Sequence, residues 1–244
     1  MSFSVVIPAR YAATRLPAKV LLDIGGKPML QHTYERAMAS NAEQVFIATD
    51  DERIKQVAEQ FGARVCMTSA AHRSGTDRIQ EVATQIGMSE EKLLVNVQAD
   101  EPLIPPEVIN QVAENLQANG QAGIATLCDT ISVQQEIDDP NCVKVVMDSR
   151  GHALYFSRAT IPWQASASCR NSYRHIGIYA YRVSILNQFV QWPQSELEIQ
   201  EKLEQLRALY HGVVIHVAVA SVSIPPGVDT EQDLQMVRAH LAAQ

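Results

Sequence analysis

The sequence predicts an α/β protein built on a largely parallel sheet with helices on both faces. Two observations carry this reading. Short apolar runs, Ser4–Ile7, Val45–Ala48, Ala63–Cys66 and Leu93–Val97, recur through the first half with little polar alternation, as in strands buried on both faces. Between them, Pro28–Ala39, Glu52–Phe61 and Thr76–Ile86 carry helical spacing, which supplies the crossovers that parallel strands need.

Further along, Pro105-Pro106 open a helix over Glu107–Gln117, with Val108, Ile109, Val112 and Leu116 on one face, because proline suits a first helical turn. Ile124–Leu127 is the next strand. The middle of the chain then changes character. Val143–Met147, the turn Asp148-Ser149-Arg150-Gly151 and Ala153–Phe156 predict an antiparallel hairpin. The Ala- and Ser-rich stretch Gln164–Ser172 that follows reads as a substrate- or partner-facing excursion. Ile176–Tyr181 and Val213–Ala220 are late strands, and Glu198–Tyr210 and Thr230–Ala242 late helices. The last starts with Asp229-Thr230 and further acids, Glu231 and Asp233, which favour a helix N-terminus.

The chain has 244 residues, enough for one large α/β domain, with a net charge of −7, 46% hydrophobic and 19% charged residues. Such an acidic composition argues against general binding to nucleic acid or to a membrane surface. No run approaches the roughly 20 apolar residues of a membrane span, and the N-terminus has no leader-like pattern, so a cytoplasmic location is expected. Cys66, Cys128, Cys142 and Cys169 show no metal or disulfide spacing and read as free thiols.

Against this acidic background, the loop after the first strand carries Arg10, Arg15 and Lys19 within ten residues. It lies where ligands sit in such sheets, at the carboxyl edge, and its cations suit a triphosphate. Neither G-x-G-x-x-G nor G-x-x-x-x-G-K-[ST] occurs, which disfavours a nicotinamide enzyme or a P-loop ATPase. The strand Leu93–Val97 ends in Gln98-Ala99-Asp100-Glu101-Pro102, placing Asp100 at the same edge, where a carboxylate suits Mg²⁺ with phosphate oxygens. The loop His72-Arg73-Ser74-Gly75-Thr76-Asp77-Arg78 opens a helix whose N–H groups can face a base or phosphate. Each feature also has a purely structural reading: solvated loop charges, turn acids and a capped helix start.

Taken together, Ile7-Pro8-Ala9-Arg10-Tyr11, Thr14-Arg15-Leu16-Pro17-Ala18-Lys19, Gly26-Lys27-Pro28-Met29, Ser74-Gly75-Thr76-Asp77-Arg78, Asn96-Val97-Gln98-Ala99-Asp100-Glu101-Pro102, Tyr155–Trp163, Arg174–Tyr179, Leu203-Glu204-Gln205-Leu206-Arg207 and Gly227-Val228-Asp229-Thr230 resemble the 3-deoxy-manno-octulosonate (Kdo) cytidylyltransferases. The resemblance covers the whole chain and implies a Rossmann-like, three-layer αβα nucleotide-diphospho-sugar transferase fold. Its mixed, mostly parallel sheet would carry a small antiparallel substrate and dimerisation excursion. It also implies a single domain, with a CTP-binding core over 1–130 and 213–244 and a Kdo-binding and dimerisation subdomain over about 131–212.

The implied reaction transfers CMP from CTP to the 2-hydroxyl of Kdo with Mg²⁺, by a cytoplasmic homodimer in lipopolysaccharide synthesis. By resemblance, Ala9, Arg10, Lys19, Arg73, Ser74, Gly75, Gln98 and Asp100 surround CTP, and Asp100 and Asp229 hold the metal. Arg10, Lys19, Asp100 and Asp229 form the catalytic set. Arg15, Gln98, Arg158, His175, Tyr179, Glu204 and Gln205 face Kdo. The chain departs from the family at Ala18 and Ala99, where Gly is frequent, and at Arg73 and Asp77, where Gln and Glu are common. The alternatives are a cytidylyltransferase for 8-amino-Kdo or another acidic sugar, and a non-catalytic nucleotide-binding protein on the same fold. The Gly-Ser-Lys-Gly run usual in sialic-acid enzymes is missing from the first loop.

Overall fold

The first apolar run forms β1 (Phe3–Pro8), the strand around which the molecule is organised. The structure is a computed structural model that describes residues 2–12, 16–72, 74–163 and 172–242. Arg15, Arg73, Cys169 and residues 164–171 of the expected excursion lie outside the described residues. After β1 comes a 3-10 turn, Lys19–Leu21, then a small hairpin of β2 (Asp23–Ile24) and β3 (Lys27–Pro28). Helix α1 (Met29–Met38), β4 (Gln44–Thr49), α2 (Glu52–Gln60), β5 (Arg64–Met67), α3 (Gly75–Gln85), β6 (Leu93–Asn96) and α4 (Pro106–Ala118) follow the expected alternation.

The second half holds β7 (Ile124–Thr130), α5 (Gln134–Asp138), β8 (Lys144–Met147), β9 (Ala153–Ser157) and β10 (Tyr173–Arg182). It ends with α6 (Val183–Phe189), α7 (Glu196–Glu201), α8 (Gln205–Tyr210), β11 (Ile215–Val219) and α9 (Glu231–Ala242). The main sheet runs β11-β7-β10-β6-β1-β4-β5, with β8 paired to β10 and β9 to β8. Strands β1, β4, β5 and β6 are mutually parallel, as are β7 and β11, whereas β10 is antiparallel to both β6 and β7. The sheet is therefore mixed and mostly parallel. The span 131–212 supplies its antiparallel strand β10, inserted between β6 and β7.

Alternation along β1 divides the core. Val5 and Ile7 pack with Leu30, Ile54, Val108 and Val112 on one face, and Val6 packs with Phe46, Ile79, Val82 and Leu186 on the other. Both faces are buried, which is why the strand reads as an unbroken apolar run.

Two expectations need correction. The single helix expected over Glu198–Tyr210 is two helices, because Lys202 adopts the left-handed conformation (φ 54°) and its N–H closes α7 on the Glu198 carbonyl. Within this bend the buried Glu198 and Arg207 pair across the break, with Nη2 2.6 Å from Oε1. The short helices α5 and α6 have no counterpart in the expected pattern, since each offers fewer than two turns of periodicity.

Candidate active site

Parallel β1, β4 and β6 end on one edge, so the segments after them, together with the N-terminus of α3, meet there. A cavity of about 250 Å³ opens at this edge, with walls that include Pro8, Arg10, Lys19, Gly75, Gln98 and Asp100. Of the residues expected around CTP, Ala9 lies in the wall behind it, fully buried, its N–H donated to the Ala48 carbonyl (2.8 Å). Arg10 reaches across the site and donates from Nη2 to the His72 carbonyl (3.3 Å).

Ser74 caps α3: its hydroxyl accepts from the Asp77 N–H (3.1 Å), while the Asp77 carboxylate accepts from the Ser74 N–H (3.1 Å). This capping box fixes Gly75 at the cavity wall, where no Cβ stands between ligand and backbone. It also gives Ser74 the structural role its sequence context allows.

Lys19 is placed by Ala18, which takes the left-handed conformation (φ 55°) that glycine adopts more easily. The tight turn that follows aims the ammonium at two carboxylates. Nζ donates to Asp100 Oδ2 at 2.6 Å and to Asp229 Oδ1 at 3.0 Å. Burial alone lowers the Lys19 pKa, but the Asp100 charge, its hydrogen bond and then Asp229 outweigh it, and the ammonium is held above its ordinary value.

Asp229 sits 129 residues beyond Asp100 in sequence and reaches it through the segment 225–228. The Val228 N–H donates to the Asp100 carbonyl (2.8 Å), and a Cβ on Gly227 would lie 3.2 Å from the same oxygen. A side chain there would push against that carbonyl, so the close approach favours glycine. Beyond Asp229, the Asp233 carboxylate accepts from the N–H groups of Asp229 (3.0 Å) and Thr230 (2.8 Å), which fixes the start of α9.

Of the two acids that end the β6 segment, only Asp100 faces the cavity. Burial first, and then the neighbouring Asp100 charge, push the Glu101 carboxyl up to about 8, and its Oε2 has no partner among the described residues. No group of three or more His, Cys, Asp or Glu gathers among the described residues. Two carboxylates converging on one positive centre nevertheless fit Mg²⁺, which takes one or two protein carboxylates and fills its remaining positions with water and phosphate oxygens.

A second cavity of about 440 Å³ adjoins Ser74 on the other side and is lined by Gln194, Lys202, Leu203 and Glu204. Glu204 accepts a hydrogen bond from the Thr76 hydroxyl. Burial raises its pKa, opposed by the hydrogen bonds from Thr76 and Ser74. Gln205 is buried, with Nε2 unpartnered among the described residues.

His175 and Tyr179 stand on β10, their rings in contact (5.3 Å), with Phe156 edge-on to the imidazole (5.0 Å). Thr126 Oγ1 lies 3.0 Å from His175 Nε2. Desolvation by these neighbours lowers the imidazole pKa to about 3, so it is neutral. Arg158 spends Nε on the Glu201 carbonyl (2.8 Å) and Nη1 on Pro140 (2.9 Å). A bidentate grip on a sugar carboxylate would have to come end-on, from Nη2 and the second Nη1 hydrogen.

The sequence marks Gly227-Val228 only as part of a family motif, and neither their packing on the Asp100 carbonyl nor Thr76 as the anchor of Glu204 was foreseen. Gly227 beside Pro225-Pro226 was the available signal for the first. Nothing in the sequence links positions 76 and 204.

The described helices include none long and apolar enough to cross a membrane. A cytidylyltransferase family model matches residues 4–216. The 3-deoxy-manno-octulosonate cytidylyltransferase of Cellvibrio japonicus is 58% identical over 251 residues, covering 99% of this chain and 98% of that protein. The enzyme of the same name from Vibrio parahaemolyticus is 54% identical, with 99% of each covered. A solved CMP:2-keto-3-deoxy-manno-octonic acid synthetase, in complex with CTP, superposes with a TM-score of 0.93 at 42% identity, over 99% of this chain and 98% of that one. With a family match over most of its length and relatives more than half identical from end to end, this chain belongs to the 3-deoxy-manno-octulosonate cytidylyltransferase family.

Proposed function

We propose that this chain activates Kdo by transferring CMP from CTP to the anomeric 2-hydroxyl, releasing pyrophosphate, with Mg²⁺ held by Asp100 and Asp229. One observation carries this reading: Lys19, Asp100 and Asp229 converge at the mouth of a cavity walled by Arg10, Gly75 and Gln98. That is the charge pattern a phosphoryl transfer needs, cations for the triphosphate beside carboxylates for a metal.

Arg10 and Lys19 bind the phosphates and meet the negative charge that spreads over the α-phosphate and the departing pyrophosphate. Gly75 and Gln98 enclose the nucleoside, and the buried strand ends behind them exclude water from one side. Glu204, Gln205, His175 and Tyr179 orient the sugar. The Gln205 amide, unpartnered among the described residues, supplies a donor to a hydroxyl, and the neutral His175 adds no positive charge of its own beside the sugar. Mg²⁺, when bound, supplies Lewis acidity that eases loss of the hydroxyl proton and neutralises pyrophosphate. No dedicated protein base is then needed.

The reading extends to a homodimer in the cytoplasm that serves lipopolysaccharide synthesis. Leu154, 63% exposed on β9, and Trp163, 84% exposed, offer the apolar surface a partner copy would cover.

A pyrophosphate-release assay with CTP against Kdo, 8-amino-Kdo and sialic acid, with and without Mg²⁺, tests the proposal. Mg²⁺-dependent release with Kdo is expected. Release only with sialic acid would overturn the substrate, and indifference to chelation would overturn the metal.

A further inference from the structure

Lys19 lines the proposed nucleotide cavity, yet its ammonium is engaged elsewhere. Nζ lies 2.6 Å from Asp100 Oδ2 and 3.0 Å from Asp229 Oδ1, between the two carboxylates proposed to hold metal. We propose that Lys19 is a latch on that pair. In the nucleotide-free protein its ammonium stands between Asp100 and Asp229, and a divalent cation gains both carboxylates only after an incoming polyphosphate draws Lys19 away. The inference rests on the reading of Asp100 and Asp229 as the metal pair.

Competition for space comes first. A Mg²⁺ or Mn²⁺ ion sits about 2.1 Å from its oxygens, so one held by these two carboxylates would need the oxygens that Lys19 Nζ now contacts at 2.6 and 3.0 Å. The two cations would repel strongly so close together. The Asp229 arm of the latch is weak, because Asp229 is 64% exposed and an ion pair that open to water contributes little. The Asp100 arm is shorter and more buried, so it is the contact the incoming anion must replace. A triphosphate beside Arg10 offers Lys19 several anionic oxygens in exchange.

Lys19 lines the cavity, and the flexible four-carbon stem of lysine allows rotation of side-chain torsions to carry Nζ from the carboxylates towards an anion bound there. While latched, Lys19 keeps the carboxylates from repelling each other. Nucleotide and metal binding are thereby coupled, each favouring the other.

Binding of Mn²⁺ alone, without nucleotide, tests this by electron paramagnetic resonance or calorimetry on the full chain. Lys19→Met keeps the stem and removes the charge, and should bind Mn²⁺ at least about tenfold more tightly than the unmodified protein. Lys19→Gln should behave likewise, whereas Lys19→Arg, which can still pair with both acids, should stay near the unmodified value. Adding Asp100→Asn to Lys19→Met should abolish the gain. If Lys19→Met and Lys19→Gln bind Mn²⁺ no more tightly while Asp100→Asn still weakens it, the metal pair stands and the latch is wrong. If Asp100→Asn has no effect in any background, the metal pair is wrong and the latch falls with it.

Discussion

Adjacent acids with opposite environments show how little a residue's type says about its role. Asp100 faces the cavity and pairs with Lys19, while burial beside that charge raises the Glu101 carboxyl to about 8. The chemistry belongs to Asp100, so Asp100→Asn is expected to lower pyrophosphate release from CTP and Kdo by at least about a hundredfold. Turnover near the unmodified rate would remove Asp100 from the metal pair.

His175 yields a prediction of a different kind. Its desolvated imidazole stays neutral down to about pH 3, whereas in the unfolded chain it takes a proton near 6.5. Below pH 6.5 the unfolded state therefore binds the extra proton, and stability falls as pH drops towards 3. Thermal midpoints measured from pH 7 to pH 4 should decline less steeply in His175→Gln than in the unmodified protein.

At the scale of elements, the first half of the chain was legible because each strand and helix carries its own signal: an apolar run, a capping residue, a proline. The helix over 198–210 was misread because its apolar spacing runs on through Lys202, while the backbone turns left-handed there to bury Glu198 against Arg207. Gly227-Val228 were legible as a family motif, but their contact was not, since it is a hydrogen bond to a carbonyl more than a hundred residues away. Gly227→Ala would force a Cβ to 3.2 Å from the Asp100 carbonyl, costing about 1 kcal/mol or more and shifting Asp229. A Mg²⁺ titration of pyrophosphate release should show a severalfold higher half-saturating concentration, with the KM for Kdo changed less.

For the whole molecule, the mixed sheet brings β10 between β6 and β7, which sets His175 and Tyr179 beside the strand end that carries Asp100. The exposed Leu154 belongs to the same antiparallel region. A homodimer predicts a mass near twice 27.0 kDa in solution, and Leu154→Glu should shift it towards monomer in light scattering coupled to gel filtration.

By itself the sequence determined the α/β class, the cation-bearing loop after β1, the acid that ends the β6 segment and the family, because these are written in local periodicity and short motifs. Only the tertiary structure decided that Lys19 bridges Asp100 and Asp229, that Thr76 anchors Glu204 and that Arg158 spends two donors on backbone carbonyls. Those facts depend on which side chains the packed sheet brings within hydrogen-bond distance, and separation along the chain carries no trace of it.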